Sequence, residues 1–237
     1  MKISCKELNF VHDILGVLGV TDVSVVPTEE GWEFYARDGT NCSMASILLK
    51  RRAFSEDYEV WEPFTVAMKF LKEAIQKRNE VTVAMGDGFM TITYEKSRSK
   101  TRLLTMDETP RLLPRVELRY SVALDSDALI GLAKEKQFAA ASEAELGLVV
   151  EISPESFTMS YETHRDAYEN SVDVLMSDLP EGNQISHYGE DLLLPIMRVL
   201  PPSTPMVVYM ETDYPIKFVA NTETPMLTAF VAPRIDN

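Results

Sequence analysis

The sequence predicts an α+β protein built from two similar units in tandem. Apolar residues recur across the two halves at a spacing of 125 residues: Trp32 with Phe157, Met68 with Leu193, Leu71 with Ile196, Ile75 with Leu200, and Val81 with Met206. Each half also runs through the same order of elements: strand, helix, hairpin strands, a second helix, then another strand pair. Matched apolar residues are common in a chain that is 45% hydrophobic, so the shared order carries more weight than any single pair. An internal duplication sets the whole fold. Two such units suggest a scaffold with a pseudo-symmetric surface rather than one catalytic pocket.

In the first half, Met1 to Cys5 reads as a short strand, and Leu8, Val11, Leu15 and Leu18 repeat at helical spacing before Gly19. Val23 to Val26 and Trp32 to Ala36 read as strands around the turn Thr28-Glu29-Glu30-Gly31, and Cys42 to Leu49 continues the sheet. Pro63 introduces a helix with the apolar face Phe64, Met68, Leu71 and Ile75. Val81 to Met85 and Phe89 to Tyr94 flank Gly86-Asp87-Gly88, where glycine permits the positive φ of a tight hairpin.

Periodicity fails between Met106 and Arg119. Pro110, Pro114 and mixed charges read as an extended connector, because proline fixes φ and bars its predecessor from helix. Leu112 and Leu113 would be exposed in a solvated linker, which predicts that they dock on a domain surface. The domain boundaries are 1–106, a connector 107–118, and 119–237.

The second half opens with Tyr120 to Leu124, followed by Ser126 as N-cap of a helix bearing Leu129, Leu132, Ala133 and Lys136. Leu146 to Ile152, Phe157 to Tyr161 and Ser171 to Met176 read as strands. Tyr188 to Leu200 is the counterpart of the earlier lysine-bearing helix, with Pro195 requiring a kink or a late start. Met206 to Met210, Ile216 to Ala220 and Met226 to Val231 finish the sheet.

Composition bounds the function. Cys5 and Cys42 are the two cysteines, so a disulfide framework is not expected and a reducing compartment is. No apolar run approaches the roughly 20 residues that cross a bilayer, which predicts a cytosolic chain without membrane contact. The net charge of −14 argues against nucleic acid at first sight. Its distribution is less hostile: Lys69, Lys72, Lys77 and Arg78 gather on one helix, and Lys134, Lys136 and Arg198 fall on two others. Such clusters are ordinarily solvated faces.

Catalytic signals fail on inspection. His164-Arg165-Asp166 resembles a protein-kinase catalytic loop, but Asn170 lies one residue too early and no phosphate loop accompanies it. His12, His164 and His187 have no partner at metal-ligand spacing, and the two cysteines are far apart, so no metal is expected. Glu190-Asp191 and Glu29-Glu30 are adjacent carboxylates that a magnesium-dependent nuclease could use. Neighbours on a helix diverge by about 100°, so structural charge is the simpler reading. No catalytic residue and no cofactor is assigned.

The C-terminal run Asp213-Tyr214-Pro215-Ile216-Lys217-Phe218, followed by Leu227-Thr228-Ala229-Phe230-Val231-Ala232-Pro233-Arg234-Ile235, resembles the end of DNA sliding clamps of the proliferating-cell-nuclear-antigen type. Lys69-Phe70-Leu71-Lys72 is similar to the Lys-aliphatic-Leu-Lys of that family's pore-lining helix, and Arg198 before Pro201 matches a frequent basic position. The match runs in order over nearly the whole chain and is archaeal-like in character.

The resemblance implies the DNA clamp fold: two topologically equivalent domains with helices on one face of antiparallel sheets, three chains closing head to tail around duplex DNA. It implies a non-enzymatic processivity factor that tethers DNA polymerase, and that meets clamp loader, flap endonuclease and DNA ligase through short hydrophobic peptide motifs. The expected compartment is the cytoplasm, at the nucleoid, or the nucleus of a eukaryote. Lys69, Lys72 and Arg198 match DNA-side positions; Lys77, Arg78, Lys134 and Lys136 are added because their helices should face inward. The first helix departs from the pattern, with Glu7 and Asp13 where the family has lysines, leaving Lys6. That departure suggests an alternative, a clamp-like regulator or hetero-ring subunit that binds proteins more than DNA.

For partner peptides the resemblance places a hydrophobic groove at Cys42, Leu113, Pro215, Phe230, Ala232 and Pro233, with Leu112 as neighbour, the helix-in-groove mode. Ring closure would pair edge strands Ser99 to Met106 and Asn170 to Ser177 of successive chains, with Lys100 and Arg102 facing Asp173 and Asp178.

Overall fold

The computed structural model describes residues 1–55, 57–75, 79–104, 113–179 and 182–234. Lys77, Arg78, Leu112 and the first half of the connector, 107–112, lie outside them. The chain forms two units: Met1–Gly39, Ala45–Leu113 and Thr222–Leu227 in the first, Thr40–Met44, Pro114–Asn221 and Thr228–Asn237 in the second.

In the first unit, β1 (Lys2–Ser4) leads directly into α1 (Cys5–Val17), which buries Cys5, Leu8, Val11, Ile14 and Leu15 at helical spacing. A hairpin of β2 (Asp22–Thr28) and β3 (Gly31–Arg37) follows, then β4 (Ser43–Lys50) and a 3-10 turn at Arg51–Ala53. Gly31 has φ 141°, and a Cβ there would stand 2.0 Å from the Leu49 carbonyl oxygen, so only glycine fits. Next come β5 (Phe64–Ala67), α2 (Met68–Ile75), β6 (Glu80–Gly86), β7 (Phe89–Tyr94) and β8 (Ser97–Arg102). Asp87 (φ 53°) and Gly88 (φ 77°) form the two-residue turn between β6 and β7. Both φ values are positive, as a type I′ hairpin requires.

The second unit holds β9 (Ser121–Asp125), α3 (Ser126–Ala133), a 3-10 segment Lys136–Glu143, and strands β10 (Leu148–Ile152), β11 (Ser156–Glu162), β12 (Ala167–Asp173) and β13 (Met176–Ser177). It continues with β14 (Gln184–Tyr188), α4 (Glu190–Arg198), β15 (Pro205–Tyr209), β16 (Ile216–Asn221) and β17 (Pro225–Val231).

The duplication is explicit in the sheets. The order β4-β3-β2-β5 in one unit is repeated as β12-β11-β10-β14 in the other, and β1-β6-β7-β8 as β9-β15-β16-β17. Helices α1 and α2 pack together beside β1, β5 and β6, and α3 packs with α4 in the same way beside β9. All ten apolar residues matched in the sequence are buried, from Trp32 and Phe157 to Val81 and Met206. The start of β17 belongs with the first unit, where Lys50 N donates to Thr224 O at 2.8 Å; just beyond its end, in the second unit, Ala232 N donates to Cys42 O at 2.7 Å.

Several boundaries differ from the sequence expectation. Phe64 opens a strand, not a helix: Phe64 pairs with Val25 and Val66 with Val23, and the buried positions alternate before α2 begins at Met68. Ladder pairing with β2 overrides the helical spacing of Phe64. Asp125 rather than Ser126 caps α3, accepting from Asp127 N at 2.8 Å, while the buried Ser126 Oγ accepts from Thr204 N at 2.9 Å. Tyr188 ends β14 instead of starting the last helix; α4 begins after Gly189, so Pro195 removes only the N–H that would reach Asp191. Lys136 is not on α3, which stops at Ala133; extended Glu135 (ψ 126°) redirects the chain so that Phe138 is buried. The run Ser171 to Met176 is broken between two sheets, because Leu175 N turns to Ala123 O after β12 ends.

Candidate functional site

The basic residues sit where amphipathic helices turn outward. Lys69 and Lys72 are exposed on α2 opposite buried Met68, Leu71 and Ile75, and Lys69 stands 3.9 Å from Glu73 one turn on. Lys134 is the exposed C-cap residue of α3 and Lys136 begins the 3-10 segment, also exposed. Arg198 is exposed at the end of α4, but its Nε donates to Ala133 O at 2.7 Å, so it also closes the C-terminus of α3. Acidic side chains share these outward faces: Asp13 on α1, Glu73 on α2, Asp127 on α3 and Asp191 on α4 are exposed, against Lys6 as the exposed basic residue of α1. Among the described residues the helix faces therefore carry charges of both signs.

Strands β8 and β12 each lie at a sheet edge. On β8, Arg98, Lys100 and Arg102 alternate and are exposed, with the Lys100 ammonium 4.1 Å above the Phe89 ring. On β12, Glu169, Ser171 and Asp173 alternate and are exposed. Alternation puts each set on one face of its strand. Asp178 is not on this edge; its N–H donates to Ser121 O at 2.8 Å, beside β9. Arg98 and Glu169 take part in the edge pattern although the sequence reading passed over them. Their signal was even spacing from residues already singled out, Arg98 two positions before Lys100 and Glu169 four before Asp173.

Of the residues expected to line a groove, Cys42, Pro215, Ala232 and Pro233 are half-buried in the second unit, and Leu113 is half-buried in the first. Phe230 departs from an open anchor: it is 5% exposed. The Lys217 ammonium lies 5.7 Å from its ring centre and 4.8 Å from that of Tyr209, which pairs with Lys217 across β15 and β16. Lys217 and Tyr209 were not foreseen, because only strand register brings them to Phe230. Burial pushes the Tyr188 phenol above its ordinary range, and its OH donates to Tyr214 O at 3.0 Å.

No protein-family model matches the chain, and no curated protein matches it by sequence. Solved structures do. Proliferating cell nuclear antigen (PCNA) of A. fulgidus, in a structure of the C-terminal region of FEN-1 bound to it, superposes with a TM-score of 0.83 at 17% identity, over 100% of this chain and 98% of that one. The fold is that of the PCNA sliding clamps. PCNA of Thermococcus kodakaraensis matches this clamp fold with a TM-score of 0.81 at 16% identity over 98% and 99% of the two chains. The PCNA2-PCNA3 complex of Sulfolobus tokodaii gives 0.78 at 14% identity over 99% of each chain. Among the described residues no helix is long and apolar enough to cross a membrane.

Proposed function

We propose that this protein is a sliding clamp, a scaffold without chemistry of its own that closes into a ring around duplex DNA and tethers DNA polymerase and other replication and repair enzymes. The observation that carries the proposal is the pair of open edges. Within the chain, β4 bears β17 along its outer edge. The duplicates of those two strands are β12 and β8, and among the described residues each lies open at the end of its sheet. Joining β12 of one chain to β8 of the next repeats the same join, head to tail, and such a contact closes into a ring when its rotation permits. The charges agree: Arg98, Lys100 and Arg102 on one edge complement Glu169 and Asp173 on the other.

On this reading the domains are 1–106 and 119–237 joined by the connector 107–118, the assembly is a homotrimer, and the exposed Lys69, Lys72, Lys134, Lys136 and Arg198 face DNA together with Lys77 and Arg78. Phosphate contacts of this kind carry no base information, so the ring slides. Partner enzymes dock short peptides at Leu113, Leu112, Cys42, Pro215, Phe230, Ala232 and Pro233, as the presence of a FEN-1 segment on the A. fulgidus relative suggests. The working compartment is the nucleoid-containing cytoplasm, or the nucleus of a eukaryote. Primer extension on a circular template, with clamp loader and with or without this protein, tests the proposal; unchanged product length would overturn it.

A second reading has its own support. The acidic residues Asp13, Asp127 and Asp191 on the helix faces, and the likeness to a PCNA2-PCNA3 complex, fit a hetero-ring subunit or clamp-like regulator. Light scattering on the purified chain separates the two: a trimer favours the homo-ring, a monomer at tens of micromolar, roughly where a contact of ~8 kcal/mol would persist, favours the hetero-ring.

A further inference from the structure

We propose that Lys217 makes the peptide groove selective for an acidic ligand: the segment that enters beside Phe230 carries a carboxylate, which the Lys217 ammonium receives. The inference rests on the groove reading given above and adds the chemistry of the occupant. Lys217 extends from β16 between two rings, its Nζ 4.8 Å from the centre of Tyr209 and 5.7 Å from that of Phe230. No carboxylate among the described residues lies within salt-bridge distance of this ammonium. The neighbouring Glu211 is engaged by Arg119 at 3.6 Å. In a chain of net charge −14, this leaves a half-buried cation whose partners among the described residues are aromatic faces.

An ammonium presents three donors, and ring faces satisfy them only through the quadrupole. An incoming aromatic side chain that packs on Phe230 must move the ammonium off that ring. A neutral peptide offers nothing in exchange, whereas a peptide with Glu or Asp next to its anchor supplies a charge-assisted hydrogen bond at a site screened from water by the same rings. The acidic character of the rest of the surface repels acidic peptides elsewhere, so the charge also fixes where such a peptide docks.

The test uses the full-length protein and short synthetic peptides with one aliphatic and two aromatic anchors on a helical turn. Glu is set at each non-anchor position in turn, with Gln at the same position as the neutral twin, and affinities are read by calorimetric titration. At one position or more, the Glu peptide should bind wild type about three- to tenfold more tightly than its twin, the range for a partly buried charge pair. Lys217→Met keeps the aliphatic stem and should bring that ratio to unity; Lys217→Arg should restore it. If both peptides bind but the ratio is unity at every position, or survives in Lys217→Met, the inference is wrong while the groove stands. If no peptide binds wild type, the groove reading falls and takes the inference with it.

Discussion

The Arg198 Nε donates to the Ala133 carbonyl oxygen at 2.7 Å, so the last residue of α4 closes the last turn of α3. A residue expected to meet phosphates is thus also a structural clamp between two helices. Arg198→Ala should lower unfolding stability by about 1.5–3 kcal/mol, the range for a hydrogen bond with one charged partner. Arg198→Lys should not restore it, because an ammonium lacks the planar donor geometry. Urea unfolding of both variants reads the difference.

Lys69 and Lys72 have no comparable duty, being exposed on α2 with one loose ion pair to Glu73. The double variant Lys69→Ala, Lys72→Ala should unfold within about 0.5 kcal/mol of wild type. It should nevertheless leave loaded DNA sooner, and the slope of log affinity against log salt should fall by about 2 for two lost phosphate contacts. An unaltered slope would mean that α2 does not face DNA.

The two edges can be tested by charge exchange. Lys100→Asp or Asp173→Lys alone should weaken assembly by light scattering, since each sets like charges against each other. Combining Lys100→Asp and Asp173→Lys in one chain should recover the ring, because every contact then again sets an acidic side chain against a basic one. Assembly of the double variant as weak as that of either single one would argue against the β8 to β12 join.

At the groove, Leu113→Ala should weaken an anchor peptide by about 1–3 kcal/mol, roughly fivefold or more, with the fold intact by circular dichroism. Phe230→Ala should act in the same direction, yet it is the less clean variant. With Phe230 at 5% exposure, truncation also empties core volume and should cost roughly 3–5 kcal/mol of stability. Equal peptide affinity for wild type and Leu113→Ala would remove the connector from the groove.

Tyr188 supplies a pH dependence. Its folded pKa lies above the unfolded value near 10.0 because burial disfavours the phenolate. The unfolded chain then releases this proton first, so the contribution is complete below pH 10 and is lost as pH rises beyond it. Tyr188→Phe removes the hydrogen bond to Tyr214 O, costs about 1 kcal/mol at neutral pH, and should flatten the alkaline fall in stability, as followed by thermal unfolding from pH 8 upward.

What the sequence determined by itself is the duplication and the sidedness of its elements. Periodicities of two and of three to four residues are local properties, so the buried faces of α1, α2 and the main strands were legible, and the tight hairpin at Gly86-Asp87-Gly88 followed from glycine. The residues of the helix faces and edges could be named for the same reason. Where elements begin was decided by partners far away in the chain: Val25 draws Phe64 into a ladder, and Thr204 draws Ser126 into the core and leaves the cap to Asp125. The meeting of Lys217, Tyr209 and Phe230, the bond from Arg198 to Ala133, and the separation of Asp178 from the β12 edge likewise belong to the tertiary structure alone. Each depends on strand register or on the approach of one helix to another, and neither distance is written in the spacing of residues along a single element.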